Sequence, residues 1–192
     1  MSGKRGLVYG IGDNDADYVV APTVDGQRVR CPYYATWLSM LQRCYSENLR
    51  QKYPTYFDCI VCEEWQTFSN FKSWMEKQDW KGKHLDKDIL VKGNKIYSPN
   101  ACVFVPANVN SLLTDCAAAR GEYLIGCNWH KSTGNFIAQC NDGNGKQVHL
   151  GLFASELAAH QAWKTYKHNL ACKLADEQED VRIADALRNR YR

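Results

Sequence analysis

The strongest constraint on the fold lies in residues 123–175, where three alternating segments are followed by a long stretch of helical periodicity. The alternating segments are 123–131, 135–140 and 146–153, separated by turn residues at 132–134 and by a Gly- and Asn-rich loop at 141–145. From Ser155, a typical N-cap residue, apolar side chains recur at helical spacing to about Ala175. We therefore predict a three-stranded antiparallel sheet packed on one long helix, with its other face exposed.

The exposed sheet face is predicted to be a row of amides and imidazoles. Because side chains alternate along a strand, Asn128 and His130 lie on the side opposite Cys127 and Trp129. The residues expected to share or flank the face of Asn128 are Gln139, Asn141, Gln147 and His149, with Lys131 and Lys146 beside them. Amides suit the base edges of the major groove, and lysines neutralise phosphate. The pattern therefore indicates a surface for double-stranded DNA, with a plain solvated sheet face as the alternative.

The first half of the chain predicts a mixture of helices and short strands. Apolar residues follow the helical period in 33–45 and 64–75, and Asn108 or Asn110 caps a third helix that runs to Ala119. Short strands are predicted around 18–21, 83–90 and 102–105. The predicted modules are residues 1–118, residues 119–176 and an amphipathic C-terminal helix or tail at 177–192. The fold class is therefore α+β.

Charge and hydropathy bear on the partners of the chain. Its 192 residues include 24 Lys and Arg against 21 Asp and Glu, a formal net charge of +3 that is too balanced for a polybasic tail. No apolar run approaches the ~18–20 residues of a membrane span, and the basic N-terminus lacks the apolar stretch of a secretory signal. We expect no membrane partner and a cytoplasmic location.

Nine cysteines are a high number for a chain of this length. An odd count without an export signal indicates reduced thiols. Cys59 and Cys62 alone have the C-x-x-C spacing of a metal site, and a structural zinc needs two further ligands. Two interpretations of this pair therefore remain open: a zinc site, or buried thiols that bind no metal.

Four different short motifs follow one another in the second half of the chain. They are Leu124-Ile125-Gly126-Cys127, Gly134-Asn135-Phe136-Ile137-Ala138, Leu150-Gly151-Leu152-Phe153 and Ala158-Ala159-His160-Gln161-Ala162-Trp163. This arrangement resembles the APETALA-type (ethylene-response-factor-like) DNA-binding domain. The resemblance implies a sheet laid in the major groove, with contacts from Asn128, His130, Thr133, Gln139, Asn141, Gln147 and His149. The plant domains have Arg and Trp at several of these positions, so we expect fewer phosphate contacts and a shallower salt dependence.

The first half carries a second set of motifs. They are Trp37-Leu38-Ser39-Met40-Leu41-Gln42-Arg43-Cys44-Tyr45, Cys62-Glu63-Glu64-Trp65, Leu85-Asp86-Lys87-Asp88-Ile89-Leu90, Tyr97-Ser98-Pro99 and Cys102-Val103-Phe104-Val105-Pro106. Their order resembles phage-encoded proteins related to HNH homing endonucleases, which often carry a DNA-binding module of the kind above. The resemblance implies two strands and a helix that surround magnesium or another divalent metal, with a histidine as the general base. It also implies a location in the cytoplasm of a bacterial host.

The residues at the implied catalytic positions depart from that pattern. Asp86 lies at the position of the acidic metal ligand, but Lys87 occupies the position of the general-base histidine. A lysine with a pKa of ~10.4 is a poor base unless it is strongly desolvated. Asn108 is the candidate late metal ligand. One hypothesis is a rebuilt catalytic site of His84, Asp86, Asp88 and that asparagine. The favoured one is a degenerate remnant in which the charges of residues 86–88 form ion pairs.

The sequence therefore predicts a phage-type double-stranded DNA-binding protein with a degenerate HNH-like module. Further DNA contacts are expected from Lys83, Lys87, Lys92 and Lys95. One alternative is an active divalent-metal-dependent endonuclease that nicks DNA. The other is a virus–host interaction protein that binds and inhibits a host factor.

Overall fold

The computed structural model describes residues 6–113 and 121–192 and has the mixed helix-and-sheet composition of the predicted α+β class. Backbone contacts divide the chain into two compact units, Met1–Val105 and Pro106–Arg192. The predicted module boundary at residue 118 and the predicted helix end at Ala119 lie outside the described residues. No helix in the described ranges combines the length and the apolarity of a membrane span.

The first unit is built around helices that pack a shared aromatic core. They are α1 (Pro32–Tyr45), α2 (Glu47–Lys52), a 3-10 turn (Pro54–Tyr56), α3 (Glu63–Gln66) and α4 (Phe68–Met75). Trp37 of α1 is fully buried, and its indole N–H donates to the carbonyl of Trp65 in α3 at 2.7 Å. Phe68 and Phe71 of α4 close the same core. The aromatic face predicted for residues 64–75 is thus a packing surface.

The helix predicted over 64–75 is two helices, because another segment interrupts it at Thr67. Asp13 forms a parallel bridge with Thr67. Its N–H donates to the carbonyl of Gln66 at 2.8 Å, and its carbonyl accepts from the N–H of Phe68 at 3.0 Å. These bonds replace helical bonds at the junction, so the chain enters α4 in a new direction.

Short strand pairs complete the first unit. They are the antiparallel hairpin β1 (Thr23–Val24) with β2 (Gln27–Arg28), the parallel pair β3 (Ile60–Val61) with β5 (Ile96–Tyr97), and the antiparallel pair β4 (His84–Asp86) with β6 (Val103–Val105). The strand predicted over 83–90 is confined to β4, and residues 18–21 contain no strand.

The second unit has the predicted three-stranded antiparallel sheet and long helix. Its elements are α5 (Ala107–Leu113), β7 (Cys127–His130), β8 (Asn135–Asn141), β9 (Gln147–Phe153), α6 (Glu156–Asp176) and α7 (Val181–Asn189). The Ser155 hydroxyl accepts from the N–H of Ala158 at 3.2 Å, which confirms it as the N-cap of α6. Cys127 and Ala138 of the sheet are buried against Ala159 of α6.

The two ends of the second unit meet at the carbonyl of Leu112, the next-to-last residue of α5. It accepts from the Lys167 ammonium of α6 at 3.0 Å and from the Tyr191 hydroxyl at 2.9 Å. Lys167 is buried, and its ammonium also lies over the Tyr191 ring. The buried charge therefore fastens both α5 and the C-terminus to α6.

Candidate nucleic-acid interface

The outer face of the sheet, the side turned away from α6, carries the residues predicted to share one surface. Asn128 of β7 stands opposite Ile137 of β8, which stands opposite Leu152 of β9. The other cross-strand pairs of this face are His130 with Asn135, Gln139 with His149, and Asn141 with Gln147. Because side chains alternate along each strand, these nine residues form one surface. The register thus brings together the amides and imidazoles named from the sequence.

Two apolar residues of this face, Ile137 on the central strand and Leu152 on the edge strand β9, were missed by the sequence analysis. Ile137 is half-buried. Leu152 is 44% exposed, because it lies on the face that α6 does not cover. Alternation from Gln139 places Ile137 outward, so that signal was present in the sequence. Alternation from His149 would turn Leu152 inward, but a bulge between the pairs Gln139–His149 and Ala138–Gly151 reverses the pattern.

Three amides on the outer face are without hydrogen-bond partners. In the part of the chain that the structure describes, the side chains of Asn128, Gln139 and Gln147 make no hydrogen bond to protein. Asn128 and Gln147 are exposed, and Gln139 is half-buried. Each strand therefore presents one amide whose donor and acceptor are both available to a ligand.

Three further polar residues of the face, His130, Asn135 and Asn141, are held by local contacts. The His130 ring nitrogen Nδ1 lies 2.9 Å from the Thr133 hydroxyl, which places Thr133 in the turn beside the face. The Asn135 amide donates to the Thr133 carbonyl at 3.1 Å, and the Asn141 oxygen accepts from the N–H of Gly143 at 2.8 Å. These three residues shape the two ends of the face.

The charge around the face favours an anionic partner. None of β7, β8 and β9 contains a charged residue, and Lys131 and Lys146 are exposed where the strands end. The nearest acidic residue in sequence is Asp142, whose Oδ1 accepts from the N–H groups of Asn144 and Lys146. That carboxylate is engaged by its own loop.

In the first unit, Asp86 holds a turn together. Its Oδ1 accepts from the N–H of Asp88 at 2.8 Å and from the N–H of Ile89 at 2.7 Å, and this turn ends β4. Burial, followed by the nearby charge of Asp88, raises the pKa of the Asp86 carboxyl. His84 lies exposed on the same face of β4.

Lys87 lies inside the loop that follows β4. It is 7% exposed, and its ammonium donates to the Asp88 carboxylate at 3.0 Å and to the Asn94 carbonyl at 2.8 Å. The Asn94 amide donates in return to the carbonyls of Lys87 and Ile96. Lys87 and Asp88 thus form the ion pair of the degenerate hypothesis, and the lysine fastens the loop 87–96.

The donor set around Asp86 does not fit a divalent metal. Among the described residues, no group of three or more His, Cys, Asp or Glu side chains is placed to hold a metal ion. The Oδ1 atom of Asn108, the predicted late ligand, accepts from the N–H of Val109. One Asp86 oxygen already has two donors, and the ammonium of Lys87 lies beside Asp88.

Cys59 and Cys62 flank the short strand β3. Cys59 is buried with its thiol directed to the Thr55 carbonyl, whereas Cys62 is half-buried at the start of α3. Burial raises the pKa of both thiols, which disfavours the thiolate that zinc requires. The pair therefore has the surroundings of packed thiols.

Of the four lysines expected to add DNA contacts, three are engaged within the first unit. Lys83 pairs with Asp79, the Lys95 ammonium donates to the Thr55 carbonyl, and Lys87 is buried as described. Lys92 is exposed. The expectation for Lys87 is therefore wrong for a folded chain, because its ammonium does not reach the surface.

Two arginines on an exposed β-ribbon were also missed. The turn at Asp25 and Gly26 has φ of +49° and +76°, and residues 22–30 are all exposed. Arg28 and Arg30 lie on one face of this ribbon by alternation, and neither has an acidic partner among the described residues. The first unit therefore presents two free guanidinium groups.

Comparison of the chain with protein-family models, with curated proteins and with solved structures gives no match.

Proposed function

We propose that this chain binds double-stranded DNA with the outer face of its three-stranded sheet in the major groove. The observation that carries the proposal is that each strand presents an amide without a protein partner, on strands without a charged residue. Side-chain amides match the donor and acceptor pattern of base edges, and exposed lysines at the strand ends are placed to meet phosphates. The resemblance to APETALA-type domains supports the same use of the sheet.

The composition of the face supports binding over simple solvation. Lys, Glu and Asp are common on solvated surfaces, whereas the centres of protein–protein interfaces are depleted of them. This face has an exposed leucine, Leu152, on β9, with lysines only outside the strands. A ligand that covers the face would bury this leucine and complete the amide hydrogen bonds.

We further propose that the HNH-like segment of the first unit is a degenerate remnant of a phage homing endonuclease. This proposal draws on the resemblance and on the loop contacts of Asp86 and Lys87, which leave neither residue in a state suited to metal or base chemistry. The free arginines of the ribbon, Arg28 and Arg30, are proposed to contact phosphates.

The first experiment is a gel shift on random-sequence duplex DNA over a range of salt concentrations. Each phosphate contact contributes about 0.9 to the slope of log K against log salt. The double variant K131A/K146A should therefore flatten the slope by about 1.8, because two contacts are removed. Lys173→Ala, an exposed lysine on α6, is the matched control and should leave the slope unchanged.

A supercoiled plasmid incubated with the protein and magnesium or manganese tests the degenerate site. We expect retarded but intact plasmid, with the same retardation in EDTA. Nicking that EDTA abolishes would refute the degenerate-site proposal. Absence of any retardation at low salt would refute DNA binding itself.

A further inference from the structure

The outer face combines two kinds of contact group in one register. Asn128, Gln139 and Gln147 are amides without protein partners, one on each strand. Ile137 and Leu152 stand opposite each other on neighbouring strands, with Asn128 in line on the third. The apolar pair is therefore bordered by Asn128 on β7 and by Asn135 and Gln139 on β8, with His149 next to it along β9.

Each of these groups has a preferred partner in the major groove. Asn and Gln make paired hydrogen bonds to adenine N6 and N7, and apolar side chains contact the thymine C5-methyl group. Guanine is read mainly by Arg or Lys, and cytosine by Asp or Glu. The strands contain none of those four residue types. We infer that the sheet selects A·T pairs in the major groove, with its amides on adenine and with Ile137 and Leu152 on thymine methyl groups.

The exposure of Leu152 supports a specific apolar contact. This residue is 44% exposed on the edge strand β9, on the face that α6 does not cover. Burying a methyl-sized group contributes about 0.8 kcal/mol, or roughly a fourfold change in affinity. A thymine methyl seated against this leucine would bury apolar surface on both partners.

This inference rests on the proposed DNA binding. Three synthetic duplexes distinguish a failure of the A·T selection from a failure of DNA binding itself. The probes are the alternating copolymers poly(dA-dT), poly(dG-dC) and poly(dI-dC), used as competitors against labelled poly(dA-dT). The inosine polymer shows the guanine pattern in its major groove but lacks the guanine amino group in its minor groove. It therefore distinguishes major-groove recognition from recognition of the minor groove.

We expect poly(dA-dT) to compete at least tenfold more strongly than poly(dG-dC), since one good amide–adenine pair discriminates by about that factor or more. The inosine polymer should compete as weakly as poly(dG-dC). If the inosine polymer competes as well as poly(dA-dT), recognition is through the minor groove and the inference is wrong. Equal competition by all three leaves DNA binding intact but refutes the A·T selection, and no binding to any of them refutes both.

The methyl contact is tested by pairing a protein variant with a DNA variant. Poly(dA-dU) differs from poly(dA-dT) only in the thymine methyl groups, so the wild type should bind it roughly fourfold less tightly for each methyl buried. Leu152→Ala should weaken binding to poly(dA-dT) and leave binding to poly(dA-dU) nearly unchanged. Leu157→Ala, an exposed leucine at the start of α6, is the control. Equal weakening of both polymers by Leu152→Ala would show that no methyl contact exists.

Discussion

Gly126→Ala should destabilise the second unit through two separate effects. Gly126 precedes β7 with φ of +83°, a backbone conformation that L-residues rarely adopt. A Cβ at this position would lie 2.1 Å from Cγ and 2.2 Å from Cδ1 of Trp163, which is buried on α6. The glycine therefore allows the sheet to pack directly against the indole.

The magnitude follows from the two effects. A left-handed backbone costs an ordinary residue roughly 1–2 kcal/mol, and forcing an extra carbon into a packed core costs about 1–3 kcal/mol. We expect Gly126→Ala to lower the free energy of unfolding of this unit by about 2–5 kcal/mol. Gly134→Ala is the matched control, because its φ of +65° is similar but no atom lies within 4 Å of the added Cβ. It should cost only the backbone effect, about 1–2 kcal/mol.

Native-state hydrogen exchange with peptide resolution measures the two units separately. In Gly126→Ala, peptides from β7, β8 and α6 should lose protection, whereas peptides from α1 and α4 should exchange as in the wild type. Thermal unfolding should show a loss of about 4–8 °C for each kcal/mol in a unit of this size. Equal losses in Gly126→Ala and Gly134→Ala would refute the steric contact with Trp163.

Three further predictions concern the charged groups. Burial raises the pKa of the Asp86 carboxyl in the folded chain. The free energy of unfolding should therefore fall as the pH rises from the ordinary pKa of aspartate to this raised pKa, because ionising Asp86 is less favourable in the folded state than in the unfolded state. In urea titrations at pH 7, Asp86→Asn should therefore be as stable as the wild type or more so, and Asp86→Ala should lose about 1–3 kcal/mol with its two hydrogen bonds. Lys87→Met should lower the unfolding free energy by about 1–3 kcal/mol and leave the DNA affinity of the native protein unchanged in a gel shift, a result that a DNA-contacting lysine would not give. Arg28→Ala with Arg30→Ala should flatten the salt dependence of DNA binding by about 0.9 for each arginine, whereas Arg182→Ala, which removes an ion-paired guanidinium, should not change it.

The second unit could be predicted closely because its signals are local. Ser155 caps α6 through a hydroxyl three residues from the N–H that it binds, and the turns between strands contain the glycines that such turns require. The strands alternate because α6 covers only one sheet face. Each of these features depends on residues near one another in the sequence.

The first unit departs from prediction where distant segments intervene. The bridge from Asp13 divides a continuous helical period at Thr67, and no local pattern around Thr67 reveals it. The segment 83–90 has strand-like composition, but the Asp86 carboxylate turns the backbone at Asp88. The sequence is the same whether the Asp86 carboxylate binds the backbone of its own loop or a metal ion. The side-chain contacts were therefore needed to distinguish the two roles.

The candidate site was predicted in part. The amides of the outer face were found by alternation, but the apolar pair was not, because the bulge near Gly151 turns Leu152 outward. A one-residue bulge reverses every side chain beyond it. The chemical character of the face therefore depends on a feature that alternation alone does not contain.

The contrast between the two polar regions favours the sheet as the binding surface. Asp86, Lys87 and Asn94 are all hydrogen-bonded to the backbone of their own loop. Recruiting them to a metal or a substrate would break that loop. The amides of Asn128 and Gln147 are exposed and hydrogen-bond to no group within the described residues, so a ligand needs only to displace water. Ligand binding would therefore require little rearrangement of the sheet, whereas it would disrupt the structure of the loop 87–96.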